Sequence, residues 1–145
     1  MSKFWNETVN KIEPYVPGEQ PRDKKYVKLN TNENPYPPSK KVLEAVKNSA
    51  NEDLRLYPDP LCTELNETIA NFYGLDKDNI FLGNGSDEVL ALTFLTFFNG
   101  KEPVLFPNIS YSFYPVYCDL YQMSYKEVLL DQDFKINVED FKQPN

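Results

Sequence analysis

The strongest chemical signal is the run Phe81-Leu82-Gly83-Asn84-Gly85-Ser86-Asp87-Glu88, followed by the apolar stretch Val89 to Phe97. Two glycines let backbone come close to a ligand, and a helix start offers unpaired N–H groups and a positive dipole end to an anion. A phosphate there would be held by the amides of Ser86 and Asp87, helped by the Ser86 hydroxyl. The same residues also suit an N-capped helix after a glycine turn, with Asp87 and Glu88 complementing the dipole. The run is neither G-x-x-x-x-G-K-[ST] nor G-x-G-x-x-G, so it is no Walker loop and no Rossmann turn.

Other chemistries are excluded by residue type. The chain has no histidine. Imidazole general bases, Ser-His and Cys-His couples and ordinary zinc sites are therefore absent, and no metal site is expected. Cys62 and Cys118 form no CxxC pair, and both are expected as reduced, small apolar residues of a cytoplasmic protein. The formal net charge of −7 opposes binding of a long polyanion, and the lysines form no basic stripe. No nucleic acid is expected. Val89 to Phe98 is too short to span a bilayer, and the N-terminus lacks the apolar core of a signal peptide.

These residues need elements to position them. Phe4, Trp5, Val9 and Ile12 are spaced for a short amphipathic helix, which Pro14, Pro17 and Pro21 prevent from continuing. The segment looks like an arm needing a partner surface. A short strand over Val27 to Leu29 leads into a turn-rich loop, Asn30 to Pro38. Ser39 caps a helix with Val42, Leu43 and Val46 on one face, and Leu54 to Pro60 is an extended loop. Leu61, Leu65, Ile69 and Phe72 repeat at helical spacing, and Gly74 closes that helix. Strands are expected over Asn79 to Leu82, Val104 to Phe106 and Tyr125 to Leu129. Helices are expected over Val89 to Phe97 and Tyr111 to Tyr121, with a helical turn over Val138 to Phe141. Strands alternating with helices indicate an α/β fold with a largely parallel or mixed sheet. The few strands suggest that the layer is truncated.

Four segments carry a resemblance to a known family. Leu29-Asn30-Thr31-Asn32-Glu33-Asn34-Pro35 resembles the L-N-x-N-E-N-P signature of histidinol-phosphate aminotransferases, and Arg55-Leu56-Tyr57-Pro58-Asp59-Pro60 resembles their R-x-Y-P-D-P segment. Gly83 to Glu88 resembles their phosphate-binding turn. Pro107 with Tyr111-Ser112-Phe113-Tyr114 resembles their P-x-Y-S-x-Y segment, and Ile12-Glu13-Pro14-Tyr15 also fits. All occur in the family's order at about its spacing. The resemblance implies a fold-type I, pyridoxal-phosphate-dependent transferase. Residues 1–38 would be an N-terminal arm and active-site loop, and 39–145 the start of the large cofactor-binding domain, a three-layer α/β/α sheet.

The resemblance also implies roles. Gly85, Ser86 and Asp87 would form the seat for the phosphate of pyridoxal 5'-phosphate, and Tyr111 would lie against its ring. Tyr57 would reach the phosphate in the neighbouring subunit of a homodimer with shared sites. Tyr15 and Asn32 would line the substrate pocket for small amino and keto acids. The family's Schiff-base lysine sits in S-K-x-x-x-x-A-G. Only Lys3 and Lys40 follow a serine, and neither continues that pattern. No catalytic residue is therefore assigned in this chain, which is expected to be an N-terminal portion, inactive alone, of an enzyme of histidine biosynthesis. Alternatives are a sister enzyme, such as an aromatic aminotransferase or threonine-phosphate decarboxylase, or a stand-alone phosphate-binding module without catalysis.

Overall fold

The computed structural model describes residues 2–13, 16, 18–24 and 26–143. The chain divides into two compact units, residues 1–14 with 81–145, and residues 15–80.

In the first unit, α1 (Glu7–Lys11) starts where the Asn6 side chain accepts from the Val9 amide. It packs against α5 (Phe113–Tyr121), where the Gln122 side-chain amide donates to Thr8 Oγ1 at 3.2 Å. The arm expected from the sequence thus has a contact surface within this unit, although Phe4 and Trp5 remain exposed. The apolar run after the glycine turn forms α4 (Ser86–Thr93), which loosens into a π-helical turn over Phe94–Phe98. β1 (Val104–Pro107) and β2 (Tyr125–Val128) pair in parallel, Val104 opposite Tyr125 and Pro107 opposite Val128, with α5 as the crossover. Phe94, Val104, Phe106, Tyr117 and Cys118 form the core. Aromatic rings knit it together: Phe94 lies 5.8 Å from Tyr114 and 5.3 Å from Tyr117, centroid to centroid.

The second unit is built from α2 (Lys40–Ser49), α3 (Thr63–Tyr73) and two 3-10 turns, Glu52–Arg55 and Lys77–Asn79. Its ends are set locally. Ser39 accepts from the Val42 amide, as the sequence predicts, and Gly74 at φ 66° closes α3. The apolar face of α2 forms, yet Val42, Leu43 and Val46 are exposed.

Some expectations need correcting. Val27 to Leu29 and Asn79 to Leu82 are not strands, because among the described residues neither has a neighbour with which to form a ladder. Leu61 lies outside α3, and part of the Leu54 to Pro60 loop is the second half of a 3-10 turn. Cys118 is fully buried, and burial first, then Asp119, pushes its thiol up to about 11. Cys62 is instead exposed, in a left-handed conformation just before α3. Among the described residues, no helix is long and apolar enough to cross a membrane.

Candidate functional site

The glycine turn is held by its own backbone and by one acid. The Gly85 amide donates to the Gly83 carbonyl at 3.0 Å, and the Asn84 amide donates to Glu88 Oε2. Gly85 sits at φ 85°, ψ 168°, and a Cβ there would meet nothing within 4 Å. The requirement for glycine is therefore conformational rather than steric. Val89 is the first residue whose amide closes onto the helix, bonding Gly85 O at 3.3 Å. Among the described residues, the amides of Ser86, Asp87 and Glu88 have no acceptor, the usual state of a helix start. Gly85 itself occupies the N-cap position and offers no side chain. The second sequence reading, a capped helix after a glycine turn with Asp87 and Glu88 in its first turn, is what forms, with Gly85 as the cap and no side-chain bond; its open amides are also what an anion would require.

Tyrosines frame this row. β1 ends at Pro107, and the Asn108 amide bonds Val128 O while its side chain accepts from the Leu130 amide, both at 2.9 Å. Ser110 Oγ donates to Pro107 O at 2.8 Å. The turn so fixed presents Tyr111, whose hydroxyl donates to Asp87 Oδ1 at 2.6 Å. The Tyr111 ring stacks on Phe113 at 5.5 Å and meets Tyr114 edge-on at 5.8 Å. Tyr117, buried on α5, donates to the Asp87 carbonyl at 3.2 Å. Burial, followed by the nearby Asp87, raises its phenol above the ordinary value. Four expected site residues, Gly85, Ser86, Asp87 and Tyr111, thus come together at the carboxyl end of β1, where ligands of open α/β sheets bind.

The remaining expected residues belong to the second unit. Tyr57 is fully exposed on the loop between the Glu52–Arg55 turn and α3. Asn32 follows Thr31 in a left-handed pair, φ 62° and 52°, a conformation that costs on the order of 1–3 kcal/mol for a residue such as Thr31. An ion pair between Lys28 and Glu33 braces that loop and holds the Glu33 carboxyl below its ordinary value. The Asn30 side chain donates to Glu19 O at 3.1 Å. Tyr15 lies outside the described residues.

Sequence reasoning gave Glu88 only a dipole role, not its bond from the Asn84 amide, and missed Asn108, Tyr117 and the capping by Asp59. Asp59 accepts from the Leu61 amide at 3.0 Å and the Thr63 amide at 2.7 Å, capping α3 from outside it. These bonds, those from Thr63 foremost, hold its carboxyl below the ordinary range. An aspartate two residues ahead of the helix-spaced run that starts at Leu61 was the available signal. Tyr117 carried none, being one of several tyrosines on an apolar helix.

A cleft of about 650 Å³ lies elsewhere, lined by Phe94, Phe97, Phe98 and Val104 among others. Thr93, Lys101 and Glu102 also line it, and it does not include Ser86, Asp87 or Glu88 of the donor row.

A small parallel α/β unit with open amides and tyrosines at a strand's carboxyl end has the arrangement of ligand sites in open α/β sheets, and sequence comparison gives its family. The family model for class I and II aminotransferases matches residues 24–144, and the chain belongs to that family. It is 61% identical over 145 residues to the histidinol-phosphate aminotransferase of Clostridium beijerinckii, covering 100% of this chain and 40% of that protein. It is 63% identical over 142 residues to that of Clostridium botulinum strain Langeland, 98% of this chain and 40% of the relative. With the Clostridium acetobutylicum protein it shares 55% over 145 residues, 100% of this chain and 41% of the relative. The chain thus spans about two-fifths of the length of the curated relatives it matches.

Proposed function

We propose that this chain is the N-terminal part of a pyridoxal 5'-phosphate-dependent aminotransferase. The enzyme would convert histidinol phosphate and 2-oxoglutarate to imidazole acetol phosphate and glutamate, in the cytoplasm and in histidine biosynthesis. The observation that carries the cofactor assignment is the row of three open amides at the start of α4, next to Tyr111, whose hydroxyl donates to Asp87. Helix-terminal amides and a dipole suit a phosphate, and a flat aromatic suits a pyridine ring. Identity of 55–63% with proteins named histidinol-phosphate aminotransferases supports the substrate.

When bound, the cofactor supplies an aldehyde and an electron-withdrawing ring through which an amino group can be moved. Ser86 and Asp87 hold its phosphate through their amides, Ser86 adding its hydroxyl, and Gly85 provides the turn that aims them. Tyr111 packs against the ring. Tyr57, fully exposed here, reaches the phosphate in the neighbouring subunit of a homodimer, and Tyr15 and Asn32 line the pocket for the small-molecule substrates. Residues 1–38 act as arm and active-site loop, and 39–145 begin the cofactor domain.

The test uses the full-length protein. Bound pyridoxal phosphate is expected in its absorption spectrum, with glutamate formed from 2-oxoglutarate only when histidinol phosphate is the donor. Glutamate formed from aromatic amino acids alone would reassign the substrate, and phosphate binding without transamination would favour a non-catalytic module. Residues 1–145 alone, treated with pyridoxal phosphate and borohydride, should show scattered, weak lysine labelling. A single stoichiometric adduct with turnover would overturn their assignment as an inactive portion.

A further inference from the structure

Both acids in the first turn of α4 are turned away from its free amides. A carboxylate at the second or third helical position can fold back onto those donors. Here Glu88 instead accepts from the Asn84 amide, and Asp87 accepts from the Tyr111 hydroxyl at 2.6 Å. The Asp87 main chain is held as well, its carbonyl receiving the Tyr117 hydroxyl at 3.2 Å. A phenol has a single proton. With that proton given to Asp87, the Tyr111 hydroxyl has none left to donate to an anionic ligand at the donor row, and the ring is the surface it can offer there.

We propose that Asp87 is a positioning residue with two separate contributions: its amide serves the phosphate, while its carboxylate fixes Tyr111 so that this tyrosine meets the cofactor by its ring and not by its hydroxyl. The proposal rests on the cofactor reading above and deepens it. The phenol also holds the carboxylate off the amides, leaving them open, and partly offsets its repulsion of a dianionic phosphate. The stack on Phe113 and the edge contact with Tyr114 limit ring tilt, and the hydroxyl contact with Asp87 sets its remaining rotation.

The experiment compares full-length wild type with Asp87→Ala, Asp87→Asn, Tyr111→Phe and the Asp87→Ala/Tyr111→Phe double variant. Pyridoxal phosphate dissociation constants come from equilibrium dialysis, with circular dichroism as the check on folding. Asp87→Ala and Tyr111→Phe should each weaken binding by roughly tenfold, the scale of one hydrogen bond to a charged group. The double variant should be no weaker than the worse single one, because both remove the same contact. Asp87→Asn keeps an oxygen that accepts from the phenol and should recover most of the loss. Additive losses, or an Asp87→Asn as weak as Asp87→Ala, would overturn the proposal. A second readout needs no cofactor: the 13Cζ resonance of Tyr111 in the cofactor-free protein. It should move in Asp87→Ala and stay near wild type in Asp87→Asn; an unmoved resonance in Asp87→Ala overturns the proposal. If wild type retains no pyridoxal phosphate while this resonance behaves as expected, the cofactor reading fails and the Asp87–Tyr111 coupling stands.

Discussion

The two compact units are made of similar helix-forming sequence and end in different states. In residues 1–14 with 81–145, Phe94, Val104, Phe106, Tyr117, Cys118 and Val128 are buried. In residues 15–80, Ala70 is the buried apolar residue among those described, and Leu54, Leu56, Leu61, Leu65 and Phe72 are exposed. The first unit has a strand pair on which helices can lay their apolar faces. The second has, among its described residues, helices without a sheet, and its visible order comes from caps: Ser39, Asn51, Asp59, Asp76 and Gly74. A helix can be started and stopped by neighbours in sequence, but covering its apolar stripe takes a second layer.

The largest expected effect sharpens that contrast. Phe106→Ala, in the packed unit, should cost about 3–5 kcal/mol, whereas Leu65→Ala, half exposed on α3, should cost much less, since little cavity is left behind. Hydrogen exchange of β1 and α5 against that of α3 in the full-length protein measures both. Equal losses would show that Leu65 is as deeply packed there as Phe106, and the contrast would then hold for this chain alone.

A second comparison sets backbone against side chain within the donor row. Gly85→Val must adopt φ near 85° or abandon it, at roughly 1–3 kcal/mol of strain, and should abolish pyridoxal phosphate retention. Ser86→Ala keeps its amide and should lose about 1 kcal/mol of binding. Normal binding by Gly85→Val with loss in Ser86→Ala would place the phosphate on side chains or elsewhere.

Tyr57 tests whether the open unit contributes chemistry. Tyr57→Phe should weaken cofactor retention roughly ten- to hundredfold with the fold intact, the scale of a lost bond to a charged phosphate. In mixed dimers with one subunit lacking its Schiff-base lysine, activity should depend on which subunit carries Tyr57→Phe. Unchanged affinity in the variant counts against the assignment.

The smallest effect concerns the caps. The Asp59 carboxyl is held below its ordinary 3.8 in the folded state. Its contribution to α3 is therefore fully present above that value and is lost as pH falls through the lower, folded one. Amide exchange at Leu61 and Thr63 should quicken along that acid limb and in Asp59→Ala at neutral pH. In the variant the pH dependence should be absent; if it persists, another group carries it.

Much of the molecule was legible in the sequence, and for local reasons. Ser39 as a cap, Gly74 as a stop, the helical spacing of Leu65, Ile69 and Phe72, and the glycine turn before α4 all act over a few residues. Two of the four family segments suggested, by resemblance, that Gly85, Ser86, Asp87 and Tyr111 belong to one site. What only the tertiary structure decided is non-local. Val27 to Leu29 has strand composition but no ladder, because a strand exists only with its neighbour. Twenty-four positions separate Asp87 from Tyr111, and no periodicity says that the carboxylate of one would take the hydroxyl proton of the other. Residue types supplied the donors and acceptors; the β1 turn, fixed by Asn108 and Ser110, brought them within a hydrogen bond.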